Sequence, residues 1–203
     1  MKLFLIRHGL SEANEVQLVT GTPNDILSTK GIDEVARLNR WLRKCPVQID
    51  CYVSSQWERA KQTAYHLFPD ANWYIDPRIG ETDAGIVANW KLDRFLSQYP
   101  HFYSTPENRY PGGESHVDLN KRVLDFLYNV VDIGYCSCAA VTHSGPISCI
   151  LQHLLGIEMS SFPVFLPSHA SLTLVEAYLK DGNIAGRLLT FSSGPIGNIN
   201  FQA

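Results

Sequence analysis

A three-layer α/β/α sandwich around a largely parallel sheet is the fold class this sequence predicts, and three observations predict it. The chain opens on four apolar residues, Leu3 to Ile6, that run directly into Arg7, His8 and Gly9. An uninterrupted apolar run of that length marks a short strand covered on both faces. Strand-like runs then alternate with helix-like periodicity, which favours parallel pairing. Late in the chain "CAAVTHSGPI" repeats the opening design: an apolar strand delivers a histidine into a tight turn, and a helix follows.

The elements follow in order. After Asn14 a polar stretch, "TGTPNDILSTKG", is rich in turn formers. Ile32, Val35, Ala36, Leu38 and Leu42 then recur at helical spacing, with Ser28 as the N-cap. Ile49 to Ser55 reads as the second strand, and Ser55 is expected to cap a helix carrying Ala60, Ala64 and Leu67 on one face. From Thr82 to Gly113 the sequence changes in kind, with Trp90, Phe95, Tyr99, Phe102, Tyr103 and Tyr110 among Pro100, Pro106 and Pro111. We read a lid-like insertion with its own small aromatic core; the alternative is that some of its rings line a site. A long helix is predicted after "GGES", through Val117, Val123, Phe126, Leu127 and Val130. "SLTLVEAYL" and "GRLLTF" form a hairpin around Asp181-Gly182. With no internal repeat or linker, residues 1–203 read as a single domain that includes the insertion at about 82–113.

Bulk composition narrows the function. With 203 residues, 45% of them hydrophobic, the chain can bury one sizeable core. No stretch approaches the roughly 18 apolar residues of a membrane span, and the start lacks a basic and then apolar leader, so a cytoplasmic protein without a membrane partner is expected. A net charge of -3 speaks against nucleic acid as partner. Five cysteines, Cys45, Cys51, Cys136, Cys138 and Cys149, read as reduced thiols. Cys136 and Cys138 are spaced to share one face of a strand in the core rather than to hold a metal, and no metal or other cofactor is predicted.

The chemistry gathers at strand ends. Arg7 and His8 end the first strand, Arg59 opens the helix after the second, and His143 ends a later strand just before Ser144-Gly145-Pro146. Open α/β sheets bind ligands at the carboxyl ends of their strands. Two guanidiniums and the amides of a helix start suit a phosphoryl group, and a neutral imidazole among them can attack phosphorus.

Five ordered blocks carry a resemblance. "RHGLSEAN" resembles the R-H-G-x-[ST]-x-x-N signature of the histidine phosphatase superfamily, in its phosphoglycerate mutase-like branch. "VSSQWERAKQTA", "RIGETDAG", "GGES" and "VTHSGPI" are similar to its further blocks, in the family's order. The chain departs from the pattern at Ile86-Val87-Ala88, Ser144 and Glu34-Val35. The resemblance implies a phosphoglycerate mutase-like fold and a metal-independent phosphatase acting on a small phosphomonoester through a phosphohistidine on His8. It implies that Arg7, Arg59 and His143 hold the phosphoryl oxygens, with Asn14 and the helix start at Ser144 adding hydrogen bonds. Glu81 matches the proton donor, with Asp83 and Glu12 as the alternatives. Ser11 would face the substrate, and His169 would either contact substrate or be a plain loop residue. His66, His101, His116 and His153 match no block and read as structural or surface residues. The expected partner is a small phosphorylated metabolite, and a homodimer is the candidate assembly. The rival readings are a phosphoglycerate mutase-type phosphotransferase and a catalytically silent regulatory relative.

Overall fold

The computed structural model describes residues 1–44 and 47–195, which leaves Cys45 outside the described residues. Its strands are β1 (Lys2–Arg7), β2 (Cys51–Ser54), β3 (Trp73–Ile75), β4 (Ser137–Thr142), β5 (Ser171–Lys180) and β6 (Asn183–Ser193). They form one six-stranded sheet in the order β3-β2-β4-β1-β5-β6. The first four in that order pair in parallel, while β5 and β6 are antiparallel additions at one edge. The helices are α1 (Glu12–Glu15), α2 (Thr29–Leu42), α3 (Glu58–Leu67), α4 (Leu92–Gln98), α5 (His116–Ile133) and α6 (Ser144–Leu155).

The opening apolar run is explained by burial on both faces. Leu3 and Leu5 point into a core shared with α5 and α6, through Leu119, Val123, Ile147 and Ile150. Phe4 and Ile6 point the other way, against Val35 and Leu38 of α2 and Ala60 and Ala64 of α3. Period-two alternation therefore places apolar side chains in both cores, which gives the sandwich its three layers.

Local signals act where the sequence placed them, with some displacements. Ser28 caps α2 by accepting from the Gly31 amide. Ser115 caps α5 in a reciprocal box with Asp118. Asp181 and Gly182 join β5 to β6 with positive φ at both positions, the geometry that a two-residue hairpin turn needs. Ser55 does not cap α3. The cap position is Trp57, and the Ser55 hydroxyl is engaged by the Trp57 amide and by His143. Cys136 also departs from expectation: it precedes the first residue of β4 and is exposed, while Cys138 is buried opposite Cys51. The strand begins one residue too late to carry both cysteines into the core.

Residues 82–113 form two single-turn helices and α4, packed around a separate cluster of Ala84, Val87, Phe95, Phe102 and Tyr110. Among the described residues no helix is long and apolar enough to cross a membrane.

Candidate active site

The parallel register brings three strand ends together, with Arg7 opposite Thr142 and Ser54 opposite Val141. The next residues, His8, Ser55 and His143, therefore emerge at one edge of the sheet. Ladder bonds continue past the strands, from the His8 amide to the Thr142 carbonyl and from the Ser55 amide to the Val141 carbonyl, so the backbone at this edge is fixed. Gly31 lets α2 close over the loop that follows: a Cβ there would lie 1.9 Å from the Leu10 carbonyl oxygen.

His8 is almost fully buried, and its Nδ1 lies 2.7 Å from the Gly9 carbonyl oxygen. A carbonyl can only accept, so Nδ1 carries the proton and Nε2 presents its lone pair. That lone pair accepts from Arg59 Nε at 3.0 Å. Burial, helped by the positive charge of Arg59, holds the His8 imidazole well below the ordinary histidine range, so at neutral pH it is an uncharged nucleophile. His143 stands edge-on to it, ring centroids 4.8 Å apart, and burial likewise keeps it neutral.

Two arginines flank His8. Arg59 is buried, paired with Asp25 at 3.0 Å, and lies over the Trp57 ring at 4.4 Å. Arg7, half-buried and pushed down to about 10 mainly by desolvation of its guanidinium, donates to the Pro167 carbonyl at 2.6 Å and meets His169 Nε2 at 2.8 Å. Because a guanidinium only donates, His169 Nε2 accepts there, which leaves no proton on that nitrogen for Asn14 Oδ1, an acceptor 3.1 Å away that takes the Ser11 hydroxyl instead. Three buried polar atoms in this cluster, Arg7 Nε, His143 Nδ1 and Ser144 Oγ, have no partner among the described residues. Unpartnered buried groups cost on the order of 1–3 kcal/mol each, and an oxyanion is a natural acceptor for the Arg7 and Ser144 donors. The amino end of α6 at Ser144 adds a positive dipole end.

Glu81 faces the same space on a turn that is held with unusual completeness. The Arg78 and Gly80 carbonyls accept from Arg122 Nη1, the Ile79 carbonyl from Thr142 Oγ1, and the Glu81 carbonyl from Arg122 Nη2. Arg122 is itself fixed by two bonds to Glu114. The Glu81 carboxylate accepts from the Thr82 amide at 2.9 Å and packs against α6, where a Cβ on Gly145 would come within 2.5 Å of it.

A cleft of about 440 Å³ opens here, lined by Arg7, His8, Asn14, Arg59, Glu81 and Ser144 on its inner side. His143 and His169 lie behind this lining. Ser11 is fully buried as the cap of α1 and bonds Asn14, so it acts on the cleft through Asn14. Asp83 is exposed and spends its carboxylate on the Gly85 amide, and Glu12 is exposed on α1, so Glu81 alone of the three candidate acids lines the cleft. A larger cleft of about 740 Å³ lies near the amino end of β2, around Asn39, Tyr52 and Phe68, but holds none of these histidines. Asp25 and Arg122 escaped the sequence reading: Asp25 sits in the turn-rich stretch and Arg122 on α5, and neither gives a local signal of its pairing. His116, read as a structural or surface residue, lines the cleft.

The histidine phosphatase superfamily (branch 1) model matches residues 3–187. The chain is 28% identical over 189 residues to a 6-phosphofructo-2-kinase/fructose-2,6-bisphosphatase of Caenorhabditis elegans, covering 90% of this chain and 40% of that protein. It is 27% identical over 183 residues to phosphoserine phosphatase 1 of Hydrogenobacter thermophilus, covering 86% of each. The chain thus spans less than half the length of the first relative and most of the second. Among solved structures, a mycobacterial glucosyl-3-phosphoglycerate phosphatase complexed with VO3 superposes with a TM-score of 0.83 at 23% identity, over 95% of this chain and 99% of that one, a likeness of fold. With two histidines and two arginines meeting at the sheet edge where the sequence blocks put them, and a family match over nearly its whole length, this chain belongs to the histidine phosphatase superfamily, branch 1.

Proposed function

We propose that this protein is a phosphatase that hydrolyses a small phosphomonoester in two in-line transfers through His8, without a metal. The observation that carries the reading is His8 itself: neutral, its Nδ1 proton held by the Gly9 carbonyl, its Nε2 lone pair aimed at a space flanked by Arg7 and Arg59. In the first transfer Arg59 passes its hydrogen bond from Nε2 to a phosphoryl oxygen, the Nε2–P bond forms and the P–O ester bond breaks. The Glu81 carboxyl gives its proton to the leaving oxygen. In the second, the Glu81 carboxylate takes a proton from water, the hydroxide attacks phosphorus, and the P–N bond breaks to release phosphate. Arg7, Arg59 and the start of α6 supply positive charge where the transition state gathers negative charge. Asn14, oriented by the Ser11 hydroxyl on its Oδ1, fixes one side of the anion, and His143 backs the other.

The test is a panel of phosphorylated metabolites assayed for phosphate release after exhaustive chelation, alongside interconversion of 2- and 3-phosphoglycerate. Release from at least one member, undiminished by chelator, with negligible interconversion is expected. Faster interconversion than any hydrolysis would replace the phosphatase by a mutase, and recovery of lost activity on adding magnesium or zinc would overturn the metal-free mechanism.

A further inference from the structure

The outer half of the cleft differs from the inner half in kind. Its wall is built from Leu92, Tyr103, Tyr110, His116, Phe162 and Leu166. Apart from Arg7, Arg59 and Glu81 at the inner end, no side chain that carries full charge at neutral pH lines the cleft among the described residues. The insertion does contain cations, but each is committed elsewhere. Lys91 Nζ donates to the Val16 carbonyl at 2.6 Å, Arg94 lies over the Trp90 ring at 3.9 Å, and Arg109 pairs with Asp118 and the Gly113 carbonyl.

His116 is central to this wall. Its ring lies nearly parallel to Tyr103, at 15° with centroids 5.8 Å apart, and 4.8 Å from Phe162. Although 94% buried, it makes no side-chain hydrogen bond to the described residues, and burial lowers its affinity for a proton. It is thus a neutral hydrogen-bonding group among aromatic faces. Leu166 and Tyr103, both exposed, flank the mouth.

We propose that this outer wall is a leaving-group subsite selecting phosphomonoesters of neutral, ring-bearing alcohols, with His116 as a specificity residue whose uncharged ring packs against the alcohol portion. A second anionic group on the substrate, such as a carboxylate, would lose water on entering and meet no cation, whereas a ring gains buried apolar area and aromatic edges. What leaves from this subsite rests on the phosphatase reading above; the binding preference stands apart from it.

Binding of two phosphonates of matched length, 2-phenylethylphosphonate and 3-phosphonopropionate, measured by titration calorimetry on the full chain, tests the proposal. The phenyl compound is expected to bind at least tenfold more tightly. His116→Ala should shrink that ratio severalfold, and Leu166→Lys, at an exposed position where the fold is not at stake, should shrink it by favouring the carboxylate. Equal or tighter binding of 3-phosphonopropionate to the native protein, or a ratio that neither variant moves, overturns the proposal. Phosphate release from 2-phenylethyl phosphate is read in parallel: tight phosphonate binding with no release contradicts the phosphatase reading and leaves the subsite standing.

Discussion

The two ends of the cleft are made by different means. The inner end is a product of the sheet, with Arg7, His8, Ser55 and His143 at strand termini and their backbone fixed by ladder bonds. Its side chains are buried, charged or hydrogen-bonded, and almost every one is held by a second group, as Asp25 holds Arg59 and Ser55 holds His143. The outer end is a product of the insertion, the start of α5 and the loop around Phe162, and its residues meet largely through aromatic rings. On the proposed reading, the difference teaches that reaction chemistry and substrate choice reside in separable parts of this chain: one tied to the register of the sheet, the other to the insertion and the loops beside it.

Glu81 is where the two ends meet, and its replacement has the largest expected effect. Glu81→Gln should lower kcat on an alkyl phosphate by about two to four orders of magnitude, the usual range for a general acid–base group. On p-nitrophenyl phosphate, whose leaving oxygen needs little protonation, the loss should be much smaller. Equal losses on both substrates would assign Glu81 to structure and break the division between chemistry and selection.

Acid should dismantle the inner end first. His8, His143 and His169 are each held below the ordinary histidine range, chiefly by burial. Between the folded value and about 6.5 the unfolded chain binds the extra protons, so the stability these groups provide is complete above about pH 6.5 and is lost as pH falls below it. Each contributes a slope of up to about 1.4 kcal/mol per pH unit. Urea unfolding followed from pH 7.5 to 5.5 should therefore show a steep loss of stability, and His169→Asn should flatten it by about one such slope. An unchanged profile would mean that these imidazoles are not neutral in the folded protein.

The smallest effect concerns Arg122, which holds the turn of Glu81 and does not itself line the cleft. Arg122→Met should lower kcat about tenfold, as expected when a catalytic group loses its exact placement, with KM nearly constant. The loss should shrink on p-nitrophenyl phosphate, as for Glu81→Gln, because the arginine acts through that carboxylate. A change in KM alone would contradict a positioning role.

The inner end was legible in the sequence because strand termini announce themselves: an apolar run ending in Arg7-His8 or Thr142-His143 states both the element and the edge at which it stops. The sandwich followed from the same runs. β3 escaped because three residues, Trp73 to Ile75, give no period to read, and α1 because four residues cap and end within one turn. Asp25 and Arg122 escaped for a different reason. Each acts across the fold, Asp25 on Arg59 34 positions away and Arg122 on carbonyls more than 40 positions away, and such pairings leave no local pattern. His116 was read as structural or surface because its place in the cleft wall is set by the same tertiary packing. The insertion was recognised by its aromatic content, but which rings turn inward was not. Phe95 and Phe102 fill its core, Tyr103 lines the cleft, and Tyr110 belongs to both, an arrangement set by tertiary packing.

The central claim is that His8 carries the phosphoryl group between substrate and water. Rapid quenching of a reaction with labelled phosphomonoester, followed by peptide mapping, tests it most directly. The account predicts acid-labile, base-stable phosphate on His8, absent from His8→Ala, forming and decaying at rates compatible with turnover. Label on another residue, or turnover with no labelled protein at any quench time, would contradict it.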